Sequence, residues 1–518
     1  MNLAGIIEAH PATAVALRFA GDDLTYGELR RRCGALRRAL EARGVHPGDR
    51  IALVIGATPD FPIAYFGCLA AGAVVVPLNP HSPSTEIGRE LAAVGSGLVL
   101  FGSGGESVSS SGTGTPSVLV ESLASRGQET CSVEELAAPL RGPLPTSADD
   151  SADEGFELEE RDDDDPAVLL FTSGTAGSPK AAVLTHGSLR ANIEQVELRV
   201  GLAATAVDVS ILAVPPCHVL GLNAVLGVQL YSGGRLVMLE RFEPQVLLDT
   251  VVAEGVTIVA GVPELFAALA DYEGASGSEL STVRLACSGA APLSEQVAAR
   301  FEQKYGIEIW QGYGLTEASP TVTFPDLNAP RRLGSVGTAL PGVEVRVVDV
   351  DGDDVEFGDP GEILVRGPNV FAGYYEDPVA TRAALDRRGW LHTGDVAVMD
   401  DEGALTIVDR HKDLIIVSGF NVFPAEVEQV LESHGKVAEA AVVGVPDSNY
   451  GESVRAFVVP VMGGGVSGAP GEQAPPDEAE LVEHCARHLA RYKCPSTVTF
   501  VSELPHGLQG KVLRRAVQ

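Results

Sequence analysis

The sequence predicts an α/β protein. A large N-terminal domain is built of layered βα subdomains plus a small antiparallel β subdomain, and a small α+β C-terminal domain follows. Three observations predict this. Residues 24–102 and 167–326 alternate short β-branched runs with helical stretches, the pattern of buried parallel strands joined by helices. Residues 334–409 switch to inward–outward alternation broken by Gly and Pro turns, as antiparallel strands require. From Arg410 a compact α+β texture runs to the end, so the domains are drawn as 1–409 and 410–518.

The elements follow in order. Leu24-Thr-Tyr-Gly-Glu-Leu29 opens a helix with Thr25 as N-cap and Glu28 three residues on. Arg50-Ile-Ala-Leu-Val-Ile55 and Ala73-Val-Val-Val-Pro77 read as buried strands. Residues 61–85 and 210–234 contain no Asp, Glu, Lys or Arg, but prolines break both, so they read as buried helix-plus-strand segments and not membrane spans. From about 103 to 165 the texture is Ser/Gly-rich and then acidic, with eleven acids against one base between Asp149 and Asp165, and it reads as a solvated linker. Val343-Glu-Val-Arg-Val-Val-Asp349 and Gly361-Glu-Ile-Leu-Val-Arg366 are the clearest strands of the antiparallel subdomain.

Composition narrows the function. The 518 residues carry 70 acids against 37 bases, a formal charge of -33. Such a chain lacks the basic surface that nucleic acid or anionic lipid demands. Seven cysteines with no C-x-x-C, and an N-terminus without a signal-peptide pattern, suit reduced thiols in the cytoplasm and no integral membrane association. Only six of the 37 bases are lysine, namely Lys180, Lys304, Lys412, Lys436, Lys493 and Lys511, so their positions are informative.

The most specific segment is Leu169-Leu-Phe-Thr-Ser-Gly-Thr-Ala-Gly-Ser-Pro-Lys180. A β-run enters a loop of hydroxyls and glycines that ends in lysine. Small residues let backbone N–H groups approach phosphate oxygens, and the lysine adds a point charge. The pattern is not a Walker A loop. Further segments follow in order: Pro215-Pro-Cys-His-Val-Leu-Gly-Leu222, Ser288-Gly-Ala-Ala-Pro-Leu293, Gln311-Gly-Tyr-Gly-Leu-Thr-Glu317, Gly389-Trp-Leu-His-Thr-Gly-Asp395, Asp409-Arg-His-Lys-Asp413, Ser418-Gly-Phe-Asn-Val-Phe-Pro424, Tyr492-Lys-Cys-Pro495 and Leu504-Pro-His-Gly-Leu-Gln-Gly-Lys511.

These segments, in this order from about Leu24 to Arg515, resemble the acyl-adenylate-forming superfamily, which includes acyl-CoA synthetases, peptide-synthetase adenylation domains and beetle luciferases. The resemblance implies ATP-dependent activation of a carboxylic acid to acyl-AMP with Mg²⁺, then transfer to CoA. It implies that the C-terminal domain is mobile, turning near Lys412. It assigns Thr172, Ser173, Gly174, Thr175, Ala176, Gly177 and Lys180 to the phosphates; Gly289, Ala290, Ala291, Gln311, Gly312, Tyr313 and Gly314 to adenine; Thr316 to the α-phosphate; Glu317 and Thr175 to Mg²⁺; Asp395 to ribose; and Arg410 to ribose or phosphate. Lys511 is the family's catalytic lysine, Lys412, Ser418, Gly419 and Phe420 belong to the hinge and pantetheine tunnel, and His218 serves the acyl side. By this resemblance Lys493 also falls within a family segment, which leaves Lys304 and Lys436 as ordinary surface lysines.

The chemistry suits these residue types. A carboxylate attacking the α-phosphorus joins anions, so the site must supply positive charge and donors where negative charge accumulates. Two positions depart from the family pattern: Ala181 replaces the usual Gly after the loop lysine, and His506 stands where a basic residue is common. No acid or base lies between Asp208 and Arg235, where amino-acid-activating relatives carry an Asp for the α-ammonium, so the expected substrate lacks an α-amino group. A fatty acid is the first expectation, with aryl or short branched acids as the alternative. For the acceptor, CoA is expected, with a carrier protein as the alternative. An inactive nucleotide-binding scaffold is the non-enzyme alternative. Monomer and homodimer both stay open.

Overall fold

The β-branched runs become the central strands. The computed structural model describes residues 1–102, 120–121, 123–124, 127–137, 156–172, 180–201, 208–410, 415–417, 420–447, 451–461, 476–489, 491–506 and 512–517, with backbone alone at 409, 410, 416, 420, 421, 451 and 515. These residues form two compact units, residues 1–345 with 365–391, and residues 346–364 with 392–518.

The first unit contains two seven-stranded sheets. One runs in the order Ile309–Gln311, Leu285–Ser288, Ile258–Gly261, Val209–Leu212, Arg235–Met238, Val15–Phe19, Asp22–Thr25, and is parallel up to its last, antiparallel pair. The other runs Gly373–Tyr374, Lys180–Thr185, Pro166–Thr172, Val74–Pro77, Arg50–Val54, Leu98–Phe101, Glu129–Ser132. A short antiparallel sheet joins Tyr313–Gly314, Thr321–Phe324 and Thr338–Ala339.

Local chemistry accounts for the connecting helices. Thr25 accepts the Glu28 N–H and starts the helix Tyr26–Ala42, as its sequence predicts. The uncharged stretch 61–85 holds the helix Asp60–Ala70, buried from Phe61 onward, and the strand Val74–Pro77. Pro62 does not break that helix: it sits in the first turn, where an N–H has no intrahelical partner anyway. No helix among the described residues is long and apolar enough to cross a membrane. Helices Pro263–Asp271 and Glu295–Tyr305 pack through Phe266 and Phe301, edge to face at 5.3 Å and both fully buried. Truncating Phe301 to Ala should cost about 3–5 kcal/mol.

Two features correct the compositional reading of 103–165. Glu129–Ser132 is a strand, paired in parallel with Leu98–Phe101 at the sheet edge. Asp163 is not simply solvated: it accepts from the Met1 ammonium at 2.9 Å and from Arg190 at 2.8 Å. These cations, Arg190 first, pull its carboxyl down to about 2.

The second unit contains most of a four-stranded sheet in the order Glu344–Val348, Pro360–Arg366, Leu391–Met399, Leu405–Arg410. It also contains a five-stranded sheet in which Val437–Asp447 and Gly451–Pro460 are antiparallel and Thr497–Phe500 adds in parallel. Helices Pro424–Glu432 and Glu478–His488 supply Val427, Leu431, Leu481 and Cys485 to the core beneath that sheet.

Candidate functional site

Four turns leave the same end of one parallel sheet. Strands Val209–Leu212, Ile258–Gly261, Leu285–Ser288 and Ile309–Gln311 lie side by side and parallel. Segments 215–222, 262–263, 289–291 and 312–317 therefore emerge together at their carboxyl ends, where open parallel sheets collect ligands.

The segments that follow Leu285–Ser288 and Ile309–Gln311 are directly coupled. Ser288 and Gln311 are Cα partners, the Gly312 N–H donates to Ser288 O at 3.0 Å, and the Gly289 N–H donates to Gly261 O at 3.1 Å. Gln311 reaches across to Ala291 O at 3.4 Å. Ala290 holds φ +69°, a left-handed conformation uncommon for a residue with a Cβ. Tyr313–Gly314 then pairs antiparallel with Thr321–Phe324. Gly314 has no room for a side chain, because a Cβ would lie 2.2 Å from Pro320 O. The 3₁₀ turn Thr316–Ala318 follows and carries Thr316 and Glu317.

Glu317 is held from 57 residues away. The Tyr374 hydroxyl donates to Glu317 Oε1 at 2.6 Å, and the Phe371 N–H donates to Glu317 O at 2.9 Å. Burial, and then Glu317 itself, keep the Tyr374 hydroxyl protonated well above its ordinary range. The same ring lies beneath Lys180, with Nζ 5.3 Å from its centroid. Tyr374 escaped the sequence reading. The signal available was Gly373-Tyr374-Tyr375, two adjacent tyrosines in a chain that is 5% aromatic.

Lys180 and Thr172 are Cα partners at the ends of antiparallel strands Pro166–Thr172 and Lys180–Thr185, with Thr172 Oγ1 donating to Lys180 O at 3.4 Å. The residues between Thr172 and Lys180 thus connect two strands of a hairpin, and the returning strand was not anticipated from sequence. Ser173, Gly174, Thr175, Ala176 and Gly177 lie outside the described residues.

His218 sits in the turn before the π-helix Leu220–Gly227, its N–H donating to Pro215 O at 3.2 Å and its carbonyl accepting from Leu222 at 2.8 Å. Gly221 lets this turn close, since a Cβ there would meet Pro215 O at 2.4 Å. Burial lowers the His218 pKa, which favours the neutral imidazole, and pushes the neighbouring Cys217 thiol up to about 12.

In the second unit, Asp395 and Arg410 are Cα partners in the antiparallel pair Leu391–Met399 and Leu405–Arg410. The Asp395 N–H donates to Thr393 Oγ1 at 3.1 Å, and Thr393 Oγ1 donates to Ile363 O at 2.8 Å. Phe420 opens the strand Phe420–Val422, while Lys412, Ser418, Gly419 and Lys511 lie outside the described residues. His506 is bonded to Glu439 at 2.6 Å, and Lys493 holds both oxygens of Glu426 at 2.7 Å.

Residues 6–375 match the family model described as AMP-binding enzyme, and residues 426–511 match the AMP-binding enzyme C-terminal domain. The chain belongs to the AMP-binding enzyme family. A feruloyl-CoA synthase from Amycolatopsis sp is 36% identical over 98% of this chain and 95% of its own length. A long-chain-fatty-acid–CoA ligase from Yersinia pestis is 35% identical over 97% of this chain and 92% of its own. Among solved structures, ATP-bound MatB from Rhodopseudomonas palustris superposes with a TM-score of 0.87 at 31% identity, covering 100% of this chain and 98% of that one.

In this AMP-binding enzyme the sequence-predicted residues fall into three groups. The first unit brings together Gly289–Ala291, Gln311–Glu317 and His218 at one sheet end, and links Glu317 through Tyr374 to Lys180. The second unit pairs Asp395 with Arg410. Thr172 pairs with Lys180 and Phe420 opens a strand of the second unit, while Ser173, Gly174, Thr175, Ala176, Gly177, Lys412, Ser418, Gly419 and Lys511 lie outside the described residues.

Proposed function

We propose that this chain is an AMP-forming acid–CoA ligase. A carboxylate oxygen attacks the α-phosphorus of ATP, the bond to the β-phosphate breaks and pyrophosphate leaves. The CoA thiol then attacks the acyl carbon, and AMP leaves. The observation that carries this reading is the line Lys180–Tyr374–Glu317, which joins the phosphate-loop hairpin to the adenine-side turns on one unit.

In this reading the 172–177 loop and Lys180 bind the phosphates, as closely approaching N–H groups and an ammonium do. Tyr313 stacks on adenine between 289–291 and Gln311–Gly312. Thr316 donates to the α-phosphate, and Asp395 accepts from ribose hydroxyls beside Arg410. Lys511 bridges the carboxylate and the α-phosphate as charge moves between them. The C-terminal domain, from Arg410, then turns near Lys412, withdraws Lys511 and brings Ser418, Gly419 and Phe420 to the pantetheine arm. His218, neutral and buried, guards the acyl side.

Glu317 fits a Mg²⁺ ligand. Mg²⁺ prefers one or two carboxylates completed by phosphate oxygens and water, and Glu317 is a single, firmly held carboxylate. Among the described residues no cluster of three or more His, Cys, Asp or Glu forms an all-protein cage. Thr175 is the second ligand in this reading. When bound, Mg²⁺ offsets the charge of the phosphates and of the leaving pyrophosphate.

The acid lacks an α-amino group, since segment 215–222 offers no countercharge. A fatty acid is the first reading of the substrate and an aryl or short branched acid the second; a long-chain-fatty-acid–CoA ligase and a feruloyl-CoA synthase stand at nearly equal identity. A cytoplasmic location suits the free cysteines and the need for ATP and CoA. The test is pyrophosphate release across a panel of acids, with and without Mg²⁺ and CoA. Release that needs an acid and Mg²⁺, with thioester formed only when CoA is present, supports the reading. Acyl-AMP that accumulates untouched by CoA points to a carrier protein as acceptor, and no release with any acid points to a scaffold.

A further inference from the structure

We infer that Tyr374 is a positioning residue that sets the Glu317 carboxylate for Mg²⁺·ATP and steadies Lys180 above its ring. This rests on the reading of Glu317 as the metal ligand. Gly373–Tyr374 is a two-residue edge strand, antiparallel to Lys180–Thr185, with Tyr374 opposite Ala182 and Gly373 opposite Val183. That pairing fixes the ring beside the first residue of the returning strand. The ring packs edge to face on Phe371 at 5.0 Å, so its orientation is set from two sides.

From there Tyr374 touches both charged groups of the phosphate side. Its hydroxyl occupies Glu317 Oε1 at 2.6 Å, and its face lies 5.3 Å from Lys180 Nζ. Asn369, fully buried, donates to Ala318 O at 3.0 Å, so the 369–374 segment grips the Glu317 turn by backbone as well as by side chain. A carboxylate has about four lone-pair directions. Tying one of them leaves the rest in a fixed orientation, which matters for Mg²⁺ because it demands near-octahedral geometry. Hydrogen-bond partners of metal-binding carboxylates typically set metal affinity by 10–100-fold.

The test uses the whole protein with Mg²⁺ and ATP. Tyr374→Phe keeps the ring, its packing on Phe371 and its face toward Lys180, and removes only the hydroxyl. The expected result is about a 10-fold or greater rise in the Mg²⁺ needed for ATP binding by calorimetry and for half-maximal pyrophosphate release. In a Glu317→Gln background, adding Tyr374→Phe should change neither quantity further, because Tyr374 acts through Glu317. A purely structural tyrosine would lower the melting temperature and leave the Mg²⁺ dependence where it was, and that result overturns the inference. Should Tyr374→Phe fail to fold, Glu317→Asp keeps the charge but draws the carboxylate back from the hydroxyl; an unchanged Mg²⁺ requirement there also overturns it. If Glu317→Gln itself leaves the Mg²⁺ requirement unchanged, the metal-ligand reading of Glu317 falls, and this inference with it. If Glu317→Gln responds and Tyr374→Phe does not, only the inference falls.

Discussion

His506 and Val512 are antiparallel bridge partners, and the Leu513 N–H donates to Pro505 O at 2.7 Å. The chain therefore enters and leaves the 507–511 segment at one point. Leu504, Val512 and Val517 pack with Ala441, Val443 and Phe457. Arg514 adds a two-pronged pair to Glu428, at 2.8 and 2.5 Å, and Glu428 also accepts the Val442 N–H at 2.8 Å. The described residues on either side of 507–511 are thus fixed to their own unit. Arg514→Ala removes a charged hydrogen-bond partner and should lower stability by roughly 1.5–3 kcal/mol. Urea midpoints measured through a probe in the C-terminal unit check this. An unchanged midpoint would mean the pair adds nothing.

In the proposed mechanism, Lys511→Ala removes a charge partner of the adenylation transition state. Pyrophosphate release should slow by roughly 10²-fold or more. Thioester formation from supplied acyl-AMP should be nearly normal, because in that mechanism the lysine withdraws before the second half-reaction. Equal losses in both half-reactions, followed by rapid quench, would sink the two-state account.

Gly314→Ala puts a Cβ 2.2 Å from the Pro320 carbonyl, a backbone atom that cannot rotate aside. Strand 313–314 must shift and take the Thr316–Ala318 turn with it. ATP binding by calorimetry should weaken by at least about 10-fold, the scale of a misplaced polar contact or two. Gly289 offers the contrast, since the nearest atom to its Cβ lies at 3.9 Å, and Gly289→Ala should fold with nearly unchanged stability.

Glu432 provides a pH test. Burial, helped by Glu428 and Glu439 and opposed by the Ala440 N–H, lifts its carboxyl up to about 7. Between the ordinary carboxyl value and about 7, the folded state keeps a proton that the unfolded state has lost. Stability therefore falls as pH rises through that window, and the full penalty applies above it. Glu432→Gln keeps an acceptor for Ala440 and removes the charge. It should match wild type near the lower end and exceed it by roughly 1–3 kcal/mol at about pH 8. Parallel stability curves for the two proteins would show that Glu432 does not titrate in this way.

The strands, the Thr25 cap and the ordered segments were legible because each depends on local pattern: β-branched runs, a hydroxyl before a helix, small residues before Lys180. What escaped depends on tertiary pairing. That Leu285–Ser288 neighbours Ile309–Gln311 is set by how helices pack on the sheet, which no short window encodes. Tyr374 meets Glu317 through a two-residue edge strand with no pattern of its own. The strand Glu129–Ser132 lies within low-complexity sequence that masks its signal. Lysine scarcity drew attention to Lys180, whose ammonium lies over the Tyr374 ring. It misjudged Lys304, which is no idle surface residue: its ammonium donates to Leu269 O at 3.2 Å and Ala270 O at 3.1 Å, at the carbonyl end of the helix Pro263–Asp271.

The central claim is that the acid's own oxygen attacks the α-phosphorus. A carboxylic acid that the enzyme accepts, labelled with ¹⁸O in its carboxylate, tests this directly when turned over with ATP, Mg²⁺ and CoA. The account predicts one labelled oxygen in the AMP and none in the pyrophosphate, with the other retained in the thioester. Label in inorganic phosphate, or unlabelled AMP beside labelled thioester, would contradict it.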